Sequence, residues 1–108
     1  MSNAHSGACR HLLSMPHLRE VQLREGVLEE MITTNRPQNI EAILGYSRGN
    51  IAEEGCEQCI ASLKPFAHCV VVSGLFQGSC SSCHYNSTGK GCSFRTTGMK
   101  YNKILIIL

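Results

Sequence analysis

Between residues 16 and 32 the apolar side chains Leu18, Val21, Leu28 and Ile32 recur at three- and four-residue multiples, with Met31 beside them. Arg19, Glu20, Arg24, Glu25, Glu29 and Glu30 fall between them. This pattern predicts an amphipathic helix opening at Pro16. Gly26 weakens its interior, and Pro37 closes it after Thr33, Thr34, Asn35 and Arg36, because a residue ahead of proline disfavours helical backbone. A second, shorter helix is expected over residues 40–44, with Asn39 as its cap and Gly45 as its terminator. Residues 1–14 show no period and read as a mobile N-terminal arm. Cys9 and His11 lie in that arm without the further partners a four-coordinate metal requires.

Beyond a polar link at residues 49–55 the pattern changes. The only β-branched run is His68-Cys69-Val70-Val71-Val72, which predicts a short strand ending at Ser73-Gly74. Residues 86–91 are rich in turn formers. Residues 96–108 form a tail ending in the apolar run Ile104-Leu105-Ile106-Ile107-Leu108, which would add an edge strand or hang free. That run is far shorter than the roughly 20 residues a membrane-spanning helix needs. The N-terminal residues lack the apolar stretch of a secretory signal. An intracellular, nuclear, soluble protein is the expectation, with no membrane partner and no evident small-molecule substrate.

With 108 residues the chain is sized for one small domain. It carries seven cysteines and no Trp, so cross-links or metal must support a core with little aromatic packing. Six cysteines fall in one block, spaced Cys56-x2-Cys59-x9-Cys69-x10-Cys80-x2-Cys83-x8-Cys92. A Cys-x2-Cys turn brings two sulfurs to one edge of a metal tetrahedron, and two such pairs in a reducing compartment point to zinc. Two arrangements fit. Either Cys56, Cys59, Cys80 and Cys83 hold one zinc while Cys69 and Cys92 are small buried hydrophobes, or all six hold two zincs through two bridging sulfurs. His68 and His84 adjoin Cys69 and Cys83, and either imidazole could replace a sulfur. A small disulfide-stapled protein is the third, weaker alternative. The fold expected is a small metal-stabilised irregular domain, zinc-cluster-like with few short helices and strands, over residues 56–95. It would carry an N-terminal α-helical flank over residues 15–55.

The order of the six cysteines, most closely Cys80-Ser81-Ser82-Cys83 and Cys92-Ser93-Phe94, resembles the fungal binuclear zinc cluster, the DNA-binding domain of fungal transcription factors. That resemblance implies that Cys56, Cys59, Cys69 and Cys80 hold one zinc and Cys56, Cys80, Cys83 and Cys92 the other. The first half departs from it. The DNA-binding family usually has a shorter, Arg- and Lys-rich loop between its second and third cysteines, whereas here nine residues intervene with a single Lys. Over roughly Gln38 to Arg95 the chain is also similar to an uncharacterised cysteine-rich domain family of filamentous fungi. The motifs that carry this are Cys56-x2-Cys59, Pro65-Phe66-x2-Cys69-Val70-Val71, Gly78-x-Cys80-x2-Cys83 and Cys92-Ser93-Phe94-Arg95. That family implies a fold unit and no activity.

Charge bears on the choice of partner. The chain has 10 Lys plus Arg against eight acidic residues, a formal charge of +2 that two zincs on six thiolates would lower to about zero. DNA contact would fall to Lys64, Lys90 and Arg95, with Lys100 and Lys103 nearby. A protein partner would instead bind through residues 17–44. The expectation is therefore a zinc-binding fungal regulatory protein acting on DNA or chromatin in transcription, or else a zinc-stabilised protein-interaction module. No catalytic residues are expected, because a cysteine-closed zinc site has no open position and Glu57 is the only carboxylate in the block.

Overall fold

The structure, a computed structural model, describes residues 6–61, 64–88 and 91–94. Its organising element is helix α2 (Pro37–Arg48). Arg36 is extended, and Pro37 starts the helix with its φ preset and no amide to leave unpaired. The helix is longer than the sequence pattern predicts. Asn39 sits inside its first turn, and Gly45 is buried in its interior. Asn39 still serves its neighbourhood: its Nδ2 donates to Thr33 O and Oγ1 and to Asn86 Oδ1, and its Oδ1 accepts from Asn86 N at 2.7 Å.

Part of the expected N-terminal arm is a helix. Residues Gly7–Leu13 form α1, capped by Ser6, whose Oγ accepts from Cys9 N at 3.0 Å and donates to Glu41 Oε2 at 2.8 Å. Cys9 and Leu12 are fully buried. Seven residues with no apolar period carry little intrinsic helix signal, so tertiary contact with α2 supplies what propensity does not.

The predicted helix from Pro16 does not form. Residues 16–24 run across the molecule without helix, a turn follows at Glu25–Gly26, and only Glu29–Met31 winds into a single 3-10 turn. Exposure alternates along this run: Arg19, Val21 and Leu23 are half-buried, while Leu18, Glu20 and Gln22 are exposed. That is the two-residue period of extended chain. Leu23 bridges antiparallel to Phe66, with Arg24 N donating to Pro65 O at 2.7 Å and Ala67 N to Gln22 O at 2.8 Å. Gly26 adopts a φ of 94° that a side chain would resist, which turns the run toward the 3-10 segment.

Strand β1 (Asn50–Ile51) pairs antiparallel with β2 (Val70–Val71), Asn50 opposite Val71 and Ile51 opposite Val70. The predicted strand is thus present but short. Because successive residues point to opposite faces, β2 separates two buried clusters. Val70 joins Ala42, Tyr46, Phe66 and Tyr85, whereas Val71 packs against the buried cysteines with Ala52 and Phe94. Two further one-turn helices, α3 (Glu57–Ile60) and α4 (Ser81–His84), border the cysteine cluster. The tail at 96–108 lies outside the described residues. Among the described residues, no helix is long and apolar enough to cross a membrane.

Candidate metal centre

The two Cys-x2-Cys pairs are built alike. Cys56 is extended at φ −67° and caps α3, its Sγ accepting from Cys59 N at 3.4 Å. Cys80 is extended at φ −74° and caps α4, its Sγ accepting from Cys83 N at 3.4 Å. The backbone amides of the two caps turn the other way and reach the later cysteines. Cys56 N donates to Cys69 Sγ at 3.3 Å, and Cys80 N to Cys92 Sγ at 3.5 Å. Each half-unit is therefore a capping cysteine, a one-turn helix carrying a second cysteine, and a third cysteine returned to the cap's own amide.

These two half-units bring all six sulfurs into one volume. Cys56, Cys80, Cys83 and Cys92 form one four-sulfur group and Cys56, Cys59, Cys69 and Cys80 the other, with the sulfurs of each group within 4.8 Å of one another. Cys56 Sγ lies 3.8 Å from Cys80 Sγ and 3.7 Å from Cys83 Sγ, and Cys59 Sγ lies 3.7 Å from Cys80 Sγ. These separations are far longer than a disulfide bond of about 2.05 Å. Either group could hold a metal ion, and Cys56 and Cys80 belong to both. Together the two groups take in all six sulfurs. The set Cys56, Cys59, Cys80 and Cys83 is not one of the groups.

As thiols, Cys56, Cys59, Cys69, Cys80 and Cys83 are electrostatically divided. Burial pushes Cys56 up. Cys59 is held above the ordinary thiol range chiefly by donating to Cys69, and Cys83 chiefly by donating to Cys80. Cys69 and Cys80 accept from the Cys59 thiol, and that bond above all pulls both below the ordinary range. Packing six sulfurs where water is excluded thus lets some ionise only while others stay protonated, and a cation in the cluster removes that conflict.

Neither neighbouring imidazole joins the sulfurs. His68 Nδ1 lies 2.7 Å from the Tyr46 hydroxyl, in the aromatic cluster. His84 Nε2 lies 2.6 Å from Glu41 Oε1, and its ring stacks on Phe76 at 3.9 Å. Ser6, Glu41 and His84 so form a polar chain joining α1, α2 and α4. Sequence reasoning passed over Glu41 and Ser6, since nothing in their spacing ties them to residue 84. Gln58 was missed too: its Oε1 accepts from Cys83 Sγ at 3.9 Å and its Nε2 donates to Gly91 O at 2.6 Å, fastening α3 to the second half-unit. Lys64 donates to Thr88 Oγ1 at 2.8 Å, and Lys90 and Arg95 lie outside the described residues.

Comparison with known families gives a match over residues 42–95, which contain both half-units and the strand between the clusters. The chain belongs to the family described as protein of unknown function DUF3716. The matched segment agrees with the uncharacterised cysteine-rich unit expected over roughly Gln38 to Arg95. No curated protein and no solved structure matches the chain. The DUF3716 segment begins inside α2, so the Asn39 contacts and the covering strand-like run at 16–24 lie ahead of it.

Proposed function

We propose that the six cysteines hold two zinc ions in one cluster bridged by Cys56 and Cys80, and that this cluster is the structural core of a regulatory module acting by macromolecular recognition. The observation that carries the proposal is the pair of overlapping four-sulfur groups sharing Cys56 and Cys80. A zinc tetrahedron with arms of about 2.3 Å has edges of about 3.8 Å. Three of the sulfur pairs stand at 3.7–3.8 Å, in keeping with such edges. All-thiolate donors suit a closed structural zinc, which organises a fold and offers no open position for catalysis. The resemblance of the cysteine order to the fungal binuclear zinc cluster supports the same reading, and with it a nuclear, transcription-linked role.

A protein partner is favoured over DNA by the fate of the loop between Cys59 and Cys69. Here Phe66 is buried, Leu23 bridges to it, and the carbonyls of Lys64 and Pro65 accept from Arg24. A loop committed to the protein's own core leaves little to lay on a phosphate backbone. Native mass spectrometry of the reduced chain tests the metal reading, with two zinc ions per chain expected. Titration of a DNA duplex at low salt tests the partner: no detectable binding is expected, and affinity that falls steeply with salt would restore the DNA reading.

A further inference from the structure

We infer that Cys59 is an oxidation site, and that two-electron oxidants of the peroxide class convert Cys59 and Cys69 to a disulfide, releasing one of the two metals. The inference rests on the two-zinc reading and adds an asymmetry to it. Five of the six cluster cysteines are at most 5% exposed, whereas Cys59 is half-buried. It lies on α3 between the half-buried Gln58 and Ile60, which is 68% exposed. Among the described residues, backbone amides point at the sulfurs of Cys56, Cys69, Cys80 and Cys92 and at neither Cys59 nor Cys83. Amide donors draw charge from a thiolate and blunt its attack. Of the two sulfurs that lack them, Cys83 is fully buried beneath Gln58 Oε1. Cys59 alone combines access with an unblunted sulfur.

The chemistry closes within one four-sulfur group. The Cys59 thiolate attacks one peroxide oxygen, the O–O bond breaks, and the departing hydroxide takes a proton to leave as water. The sulfenic acid so formed lies within 4.8 Å of Cys69 Sγ, the other sulfur in that group that belongs to no second group. Attack by the Cys69 thiolate forms the S–S bond and expels the sulfenic oxygen, which leaves as water with a second proton. Two electrons pass from the two thiolates to the peroxide. The metal of that group keeps only Cys56 and Cys80 and is lost, while Cys56, Cys80, Cys83 and Cys92 still enclose the other.

The test is hydrogen peroxide, added in steps to the zinc-loaded full chain, with a chromophoric chelator reading released zinc and peptide mass spectrometry locating the oxidised cysteines. The expected result is a Cys59–Cys69 disulfide formed together with release of one zinc, the second leaving at least about tenfold more slowly. Cys59→Ser is expected to hold one zinc and to release it at that slower rate. First oxidation at Cys83 or Cys92, or simultaneous loss of both zincs from a chain that starts with two, would overturn the inference and leave the two-zinc reading standing. A chain isolated with fewer than two zincs would overturn both.

Discussion

Arg19 holds the end of the helix that carries Tyr46: its Nη1 lies 2.6 Å from Tyr46 O and its Nη2 2.9 Å from Gly49 O. The last carbonyls of α2 have no partners within the helix, and a guanidinium there satisfies two acceptors and complements the negative end of the helix dipole. Leu18 N and Arg19 N add bonds to Ser47 O. The extended run is thereby fixed across α2, and Tyr46 is kept between Phe66 and His68. Arg19→Ala should cost about 2 kcal/mol, since bonds to a charged donor are worth more than neutral ones. A denaturant midpoint should fall while the zinc count stays unchanged. A midpoint unmoved by the substitution would mean that water replaces the guanidinium without loss.

Metal content should follow the shared membership of Cys56 and Cys80. Cys69→Ser leaves the group Cys56, Cys80, Cys83 and Cys92 whole, and Cys92→Ser leaves Cys56, Cys59, Cys69 and Cys80 whole. Each should retain one zinc. Cys80→Ser breaks both groups and should retain none. With structural zinc contributing roughly 10–16 kcal/mol of apparent binding energy, that variant should lose cooperative unfolding altogether. Equal zinc content in Cys69→Ser and Cys80→Ser would rule out a shared cluster.

Gly45 and Gly49 should both resist substitution, though unequally. A Cβ at Gly45 would lie 2.7 Å from Ser81 Oγ and 3.0 Å from Phe76 Cε2. The hydroxyl can rotate away, so Gly45→Ala should cost about 1–2 kcal/mol after its gain in helix propensity. A Cβ at Gly49 would meet the backbone carbonyl of Val71 at 2.6 Å, with Val70 and Val72 side chains also inside 3.0 Å. Backbone in a paired strand cannot yield so easily, and Gly49→Ala should cost about 3 kcal/mol. Thermal melts of the two variants would check the order.

The family segment alone should not fold. A fragment of residues 42–95 keeps all six sulfurs of the two groups but begins partway along α2. It lacks Asn39, Arg19 and the Val21, Leu23 and Ile32 side chains that cover the aromatic cluster. Its zinc-loaded form should show no cooperative thermal transition, whereas the full chain should show one. A sharp transition in the fragment would mean that the metals suffice.

The cysteine constellation was legible because Cys-x2-Cys spacing is a local property, and the structure gathers those six sulfurs into two groups that could each hold a metal ion. The strand at Val70 and the helix after Pro37 were legible for similar reasons. The flank was not. Leu18, Val21, Leu28 and Ile32 fit a helical multiple, yet Val21 and Leu23 also fit a two-residue period. The choice between them was made by Phe66, more than 40 residues later, which offers Leu23 a bridge that no local pattern announces. α1 escaped notice because Cys9 and Leu12 are buried by elements distant in sequence. Gly45 read as a stop signal because close packing against Ser81 and Phe76 leaves the same mark in sequence as a terminator. Phe76 and Gln77 both stand at positive φ without being glycine, which no local pattern announces, and the Phe76 ring stacks on His84.

The division of the cluster into two half-units bears on how the chain is made. The first half-unit ends at Cys69 with three sulfurs, and its fourth is Cys80, the residue that opens the second half-unit. A nascent chain that has emerged through Cys69 holds an incomplete set, and neither set closes until Cys80 has left the ribosome. The first half of the molecule must then wait, its sulfurs uncommitted, for the start of the second.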